Sequence, residues 1–346
     1  MGQVTAHLGD TVPAGERADG NGDVPAVEAV GLVKRSGSTT AVAGVDLLVP
    51  QGGVHGLLGI DGAGKTTTLR MLAAVVPPDG GRARVLGHDV VREPGAVRAR
   101  VGLTGRFASL DEELTGAENL LLLARLLGYS RAAARQRTDQ LLSAFGLTGA
   151  AGTQVGRYSG GMRRRADIAA SIVVRPDVVL LDEPTTGLDP CSRDQVWDVV
   201  RALVRGGTTV LLATRHLDEA DQLADRVSVL DAGRVVAEGS PTQLRASVGT
   251  RTLHVRVSEP GRRAEARALL ERVLGVPVGA DADLTALTAR VPGAAPATRA
   301  LAALEDAGIE LARFALGSPG LGEVLLALTG RPGEDEPPPG PRRAVR

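Results

Sequence analysis

The sequence predicts an α/β fold, with a large domain built on a parallel β-sheet and a small C-terminal α+β domain after it. Three observations carry this expectation. Val54 to Leu58 is a β-prone run that feeds into a glycine-rich loop, Gly59 to Thr66, and then into a helical pattern. Val178 to Leu181, Thr209 to Ala213 and Val227 to Leu230 are short, continuous apolar runs separated by helical stretches, as strands buried on both faces of a parallel sheet should be. Beyond Gly249 the texture changes to alternating strands and single helices. With 346 residues there is enough chain for a full α/β core and an appendage.

Taken in order, residues 1–23 are rich in Gly, Asp and Ala, lack the apolar centre of a secretory signal, and read as a disordered arm. The large domain is expected over 24–248. It opens with strand character from Val24, and Val42 to Val49 and Val54 to Leu58 are split by Pro50-Gln51-Gly52-Gly53. Leu69, Leu72, Ala73 and Val76 predict a helix over Thr66 to Val76, stopped by Pro77-Pro78. From Leu114 to Arg175 the chain reads as a mostly helical insert, with Leu120, Leu123, Leu126, Leu127, Leu141, Leu142 and Phe145 forming apolar stripes. In the small domain, 250–330, Leu253, Val255 and Val257 alternate as a strand, Arg262 to Leu274 is helical, Leu284 to Val291 is a strand and Thr298 to Ala307 a helix. The Pro-rich, charged segment 331–346 is too polar to bury a core and reads as a disordered tail.

Composition excludes several classes. Forty basic and forty acidic residues cancel, so no nucleic-acid partner is expected from the total charge. Aromatic residues are only 2%, so the core must be aliphatic. The single cysteine, Cys191, leaves no internal disulfide and no cysteine-cluster metal site. The most apolar stretch, Asn119 to Tyr129, is broken by Arg125 and is too short to span a bilayer.

The chemistry lies in three places. Gly59-Ile60-Asp61-Gly62-Ala63-Gly64-Lys65-Thr66 satisfies the phosphate-binding P-loop template, with Thr67 next in the same helix start. Its glycines let backbone N–H groups turn onto phosphates, Lys65 suits the β- and γ-phosphates, and the Thr66 hydroxyl suits Mg²⁺. Asp182 ends a buried strand, where a P-loop enzyme places the carboxylate that holds Mg²⁺. Glu183 follows it, and because side chains alternate along a strand the natural division is Asp182 toward the metal and Glu183 toward the attacking water. Ser159-Gly160-Gly161 precedes a basic helix, Met162 to Val174, and a helix start suits an anion.

With the Leu188-Asp189 turn, these motifs stand in the order of the ATP-binding cassette (ABC) ATPases, which residues 24–244 resemble. The resemblance implies a P-loop NTPase domain of the ABC ATPase type with a helical signature subdomain, using ATP and Mg²⁺. It implies that Ser159, Gly160 and Gly161 contact ATP bound by a second cassette, with Asp189 at the seam. A homodimer or a heterodimer of cassettes would then close over two ATP, beside a separate multi-span permease at the cytoplasmic face of the cell membrane. A narrower resemblance, on Val101 to Gly105, Asp111 to Gly116, Tyr158 to Arg165 and Leu325 to Gly330, is to the daunorubicin/doxorubicin-resistance type and implies drug or antibiotic efflux.

The family pattern is broken at four points. Ser36 stands where an aromatic residue usually stacks on adenine, Arg106 where a glutamine is usual, and Asp61 replaces the usual asparagine. At the switch-histidine position two registers are open: the acidic run Asp218-Glu219 favours Arg215, and the other register gives His216. These departures leave a second reading, a catalytically impaired regulatory cassette of a heterodimeric complex. The intact Glu183 and Ser159-Gly160-Gly161 argue against it.

Overall fold

The computed structural model describes residues 24–104, 110–247, 251–280, 283–317 and 321–330. The arm and tail expected at the two ends, and Arg106, lie outside the described residues. The chain divides into two compact units, Met1–Ser240 and Pro241–Arg346.

In the first unit, β1 (Val27–Ser36) and β2 (Thr39–Val49) pair as an antiparallel hairpin. β3 (Val54–Leu58) runs into α1 (Lys65–Leu72). β4 (Gly80–Val85), β5 (His88–Asp89), α2 (Pro94–Arg100) and β6 (Val101–Thr104) follow, and then the helical insert of α3 (Gly116–Leu126), α4 (Arg131–Ala144) and α5 (Gly160–Ser171). The chain then alternates through β7 (Val178–Asp182), α6 (Pro190–Arg205), β8 (Thr209–Thr214), α7 (Leu217–Leu223), β9 (Arg226–Asp231) and β10 (Arg234–Gly239).

Two sheets result. One is antiparallel, in the order β2-β1-β4-β5; the other has the order β10-β9-β3-β8-β7-β6, with only the edge strand β10 antiparallel to its neighbour. The central strands β3, β7 and β8 are buried at every position, which is why their sequences are continuous apolar runs rather than alternating ones. Their side chains, among them Leu57, Val178, Leu180, Leu211 and Ala213, join Leu32, Val45, Leu69, Met71 and Leu72 in one aliphatic core. Burying each such Leu contributes about 2 kcal/mol relative to leaving it in water.

Two helices end earlier than the sequence suggests. The helix expected to reach Val76 stops at Leu72, because Ala74 takes a left-handed φ of 52° and the N–H groups of Val75 and Val76 both return to the Arg70 carbonyl. The basic helix expected to run to Val174 stops at Ser171, where Arg137 donates to the carbonyls of Ile172 and Val173 and closes the helix end.

The second unit begins with α8 (Pro241–Ser247), whose Leu244 is buried. The sequence reading put these residues in the large domain, but α8 packs with α11 (Leu321–Thr329) and so groups with the small unit. Between them β11 (Arg251–Val257), α9 (Arg263–Leu274), β12 (Val278–Ala280), β13 (Ala286–Val291), α10 (Ala294–Asp306) and β14 (Leu311–Gly317) make an antiparallel sheet of order β12-β13-β11-β14 with its own aliphatic core.

One buried titratable group sits in the central sheet. His55 of β3 bonds through Nε2 to Ser228 Oγ at 2.9 Å, and burial pulls its pKa from an ordinary 6.5 to about 4. The neutral ring is therefore the form that favours folding. Its contribution is complete above pH 6.5 and is lost as the pH falls toward 4. Between pH 7 and pH 4 we expect this residue alone to remove about 3 kcal/mol of stability. Denaturant melts across that range should show a smaller loss in His55→Gln than in wild type; parallel curves would refute the assignment.

Candidate functional site

The parallel register brings the C-terminal ends of β3, β8 and β7 to one edge of the sheet: Leu58 lies beside Thr214, and Ala213 beside Asp182. Gly59 continues from β3 and donates its N–H to the Thr214 carbonyl at 3.2 Å. The loop then wraps into α1, whose N-cap is Gly64. Glycine is required at Gly64 for two reasons. Its φ is +103°, and a Cβ there would press into the Ala41 carbonyl oxygen of β2. No side chain caps α1 and no acidic residue lies in its first turn, so the N–H groups of the helix start, at Lys65, Thr66 and Thr67, remain suited to an anion.

Lys65 is buried. Its ammonium donates to the carbonyls of Gly59 at 2.6 Å and Ile60 at 3.0 Å, and lies 3.4 Å from Glu183 Oε1. Burial lowers its pKa below the ordinary lysine value, and the Glu183 carboxylate beside it acts in the opposite sense. Thr66 Oγ1 donates to Asp182 Oδ1 at 3.1 Å. A hydroxyl and a carboxylate are oxygen donors of the kind Mg²⁺ takes, beside phosphate oxygens and water, so the pair fits that ion. Among the described residues no group of three or more His, Cys, Asp or Glu is arranged to hold a metal, so a cation at Thr66 and Asp182 would need oxygens from a phosphate ligand.

Glu183 is held from several sides. Its Oε2 accepts from Thr186 Oγ1 at 3.2 Å and lies 3.8 Å from Arg215 Nε. Its backbone is left-handed, with φ 49°, and Pro184 follows, a combination that costs roughly 1–3 kcal/mol in a non-glycine residue. Strain of this kind persists only where neighbours fix it. The two open switch positions both reach this corner. Arg215 Nη1 pairs with Asp61 Oδ2 at 3.0 Å, while His216 Nε2 lies 3.4 Å from Thr186 Oγ1. Sequence reasoning missed the Asp61–Arg215 pair, although two departures from one pattern with opposite charges were a signal that could have found it. Ser36, at the end of β1, is exposed.

Ser159, Gly160, Gly161 and Asp189 form a second group. Ser159 is the N-cap of α5 and accepts from the Met162 N–H at 3.2 Å. Asp189 is the N-cap of α6 and accepts from Ser192 N–H at 2.9 Å and from Ser192 Oγ at 2.6 Å, bonds that hold its carboxyl below the usual range. The two helix starts meet closely, since a Cβ on Gly161 would collide with the Ser192 side chain. Among the described residues, Ser159, Gly160 and Gly161 make no hydrogen bond to the loop Gly59–Thr67.

The family model described as ABC transporter matches residues 42–186. The chain is 56% identical over 310 residues to the daunorubicin/doxorubicin resistance ATP-binding protein DrrA of Streptomyces peucetius, covering 90% of this chain and 94% of that protein. The chain belongs to the ABC transporter ATP-binding family. This ABC ATPase is also 42% identical to the doxorubicin resistance ATP-binding protein DrrA of Mycobacterium tuberculosis (strain CDC 1551 / Oshkosh), over 86% of this chain and 91% of that one. A solved ATP-binding subunit of an ABC transporter superposes with a TM-score of 0.58 at 28% identity, covering 64% of this chain and 93% of that chain. The ABC ATPase therefore has the P-loop fold expected from its sequence, binds ATP, and works with a separate membrane permease. Among its described residues no helix is long and apolar enough to cross a membrane.

The loop geometry makes a graded expectation. Gly64→Ala meets both a left-handed φ and the Ala41 carbonyl, and should cost about 3 kcal/mol of stability together with ATP binding. Gly62→Ala has only its φ of +82° to contend with, its Cβ meeting open space, and should cost about 1 kcal/mol. Chemical denaturation of both variants checks the ranking; equal costs would mean that the contact with β2 is irrelevant.

Proposed function

We propose that this ABC ATPase is the energy-supplying subunit of a drug or antibiotic efflux transporter, acting at the cytoplasmic face of the membrane. The observation that carries the catalytic reading is the convergence of Lys65, Thr66, Asp182 and Glu183 at one sheet edge, with Thr66 bonded to Asp182 and Lys65 beside Glu183. The efflux reading rests on the names of the resistance proteins that the chain resembles along most of its length.

In this reading the N–H groups of Gly62 to Thr67 cradle the phosphates and Lys65 spans the β- and γ-phosphates. Ile60, Asp61 and Ala63 shape the loop rather than bind through their side chains. Thr66 and Asp182 would hold Mg²⁺, which neutralises charge on the phosphate oxygens when bound. Glu183 accepts a proton from the attacking water, whose oxygen bonds to the γ-phosphorus as the bond to the β-phosphate oxygen breaks, giving ADP and phosphate. The phosphates and the Glu183 carboxylate compete for the Lys65 ammonium, so ATP binding releases Glu183 for this role. Arg215 and His216 lie where they can meet charge on the γ-phosphate.

Ser159, Gly160, Gly161 and Asp189 serve the ATP of a second cassette. Ser159, Gly160 and Asp189 are exposed at helix starts, a placement suited to an anion brought by another chain. One cassette per chain makes a homodimer the simplest assembly; a heterodimer with another cassette would meet the same chemistry. The reading as an impaired regulatory cassette is disfavoured, because the Thr66–Asp182 pair is present and Glu183 is buried beside Lys65.

The test is steady-state turnover of the purified chain with Mg-ATP. Glu183→Gln should lower kcat by at least about 100-fold while ATP binding and ATP-dependent dimerisation persist. Undiminished turnover in that variant would remove Glu183 from its role. Co-purification of a multi-span membrane protein, and sensitisation of cells to a drug when the pair is deleted, checks the transport reading.

A further inference from the structure

The basic helix α5 carries Arg163, Arg164 and Arg165 in succession, and they point to different places. Arg163 pairs with Glu112 Oε1 at 2.9 Å and donates to the Val155 carbonyl, and Arg165 donates to the Phe145 carbonyl at 2.7 Å; both tie α5 to segments that precede it in the chain. Arg164 crosses instead to the end of β7. Its Nε donates to the Pro184 carbonyl at 2.9 Å and its Nη2 to the Asp182 carbonyl at 2.7 Å.

Those two carbonyls bracket Glu183, the residue with the left-handed backbone. A guanidinium is a rigid planar fork, so two carbonyls bonded to it are fixed in separation and direction. The peptide unit that enters Glu183, through the Asp182 carbonyl, and the one that leaves Pro184, through the Pro184 carbonyl, are thereby held from α5. On the third side, the Glu183 N–H donates to the Ala213 carbonyl of β8 at 2.8 Å. Glu183 thus stands between strand β8 and an arginine anchored on the helix capped by Ser159.

We propose that Arg164 is a positioning residue for hydrolysis: it holds the backbone on both sides of Glu183 and so makes the direction of the Glu183 carboxylate depend on the position of α5. This rests on reading Glu183 as the base and the start of α5 as the contact with the second cassette's ATP. The consequence is directional. A shift of α5 driven by the other cassette's nucleotide reaches the carboxylate of this chain's own site through one side chain, without passing through the P-loop.

Arg164→Met and Arg164→Lys in the full chain test this, with kcat, KM for ATP, melting temperature and binding of a fluorescent ATP analogue measured for each. We expect kcat to fall about 100-fold in Arg164→Met and about 10-fold in Arg164→Lys, which keeps the charge and one carbonyl contact, while KM and analogue binding stay within about threefold of wild type. Arg163→Met, which removes only the contacts to Glu112 and Val155, should keep kcat within about twofold. The proposal is overturned if Arg164→Lys has wild-type kcat, if KM rises in step with the loss of kcat, or if Arg163→Met loses as much. Should Arg164→Met not fold, Arg164→Lys decides alone. Glu183→Gln measured alongside separates the two levels: if it loses turnover and the Arg164 variants do not, only the coupling fails, and if it keeps turnover, the role of Glu183 itself fails.

Discussion

The parallel pairing of β3, β8 and β7 is the constraint on which the rest of the ATPase site depends. Pairing in register puts the ends of three strands, Leu58, Thr214 and Asp182, at one edge, and the residues that follow each end supply the P-loop, Arg215 with His216, and Glu183. A slip of one residue in β7 would move Asp182 away from Thr66 and reverse the faces of the buried run. Complete burial of those strands prevents such a slip, because every position has apolar neighbours to lose. The geometry of the candidate site is thus held by aliphatic packing, in a chain with almost no aromatic residues.

Much of this was legible in the sequence, for reasons that can be named. The glycine spacing of the P-loop, the continuous apolar run before Asp182, and Ser159 ahead of a helix are local patterns, and each depends on backbone rules that act over a few residues. The strands that went unread are of another kind. β4 contains Gly80, Gly81, Arg82 and Arg84, and β10 contains Arg234 and Glu238; they lie outside the central buried strands and tolerate charge. The division after Ser240, rather than near 248, is not visible in the sequence because α8 is short and its packing partner α11 is the last element of the chain's described residues.

The site divides in the same way. Lys65, Thr66, Asp182 and Glu183 were legible because each belongs to a motif. The contacts of Arg164 and the Asp61–Arg215 pair were not, because their partners are chosen by tertiary packing. Nothing in the run Arg163-Arg164-Arg165 says that the middle one reaches the end of β7 while its neighbours bond Glu112, Val155 and Phe145. The left-handed backbone of Glu183 is similarly invisible to a reading that treats Asp182-Glu183 as a strand end.

In the register that puts Arg215 at the switch position, Asp61 and Arg215 are each a departure when the motifs are read one position at a time, and both stand beside the glycine-rich loop and Glu183. In space they form one ion pair, at 3.0 Å, so the negative charge added to the loop is met by the positive charge added after β8. A screen that grades cassettes by counting motif mismatches would therefore score one event twice and file this chain among the degenerate members. The same arithmetic bears on chimaeras: transplanting this P-loop into a cassette with histidine at the position after β8, or the reverse, would carry an unbalanced charge into the recipient. The interchangeable unit is the loop together with the end of β8.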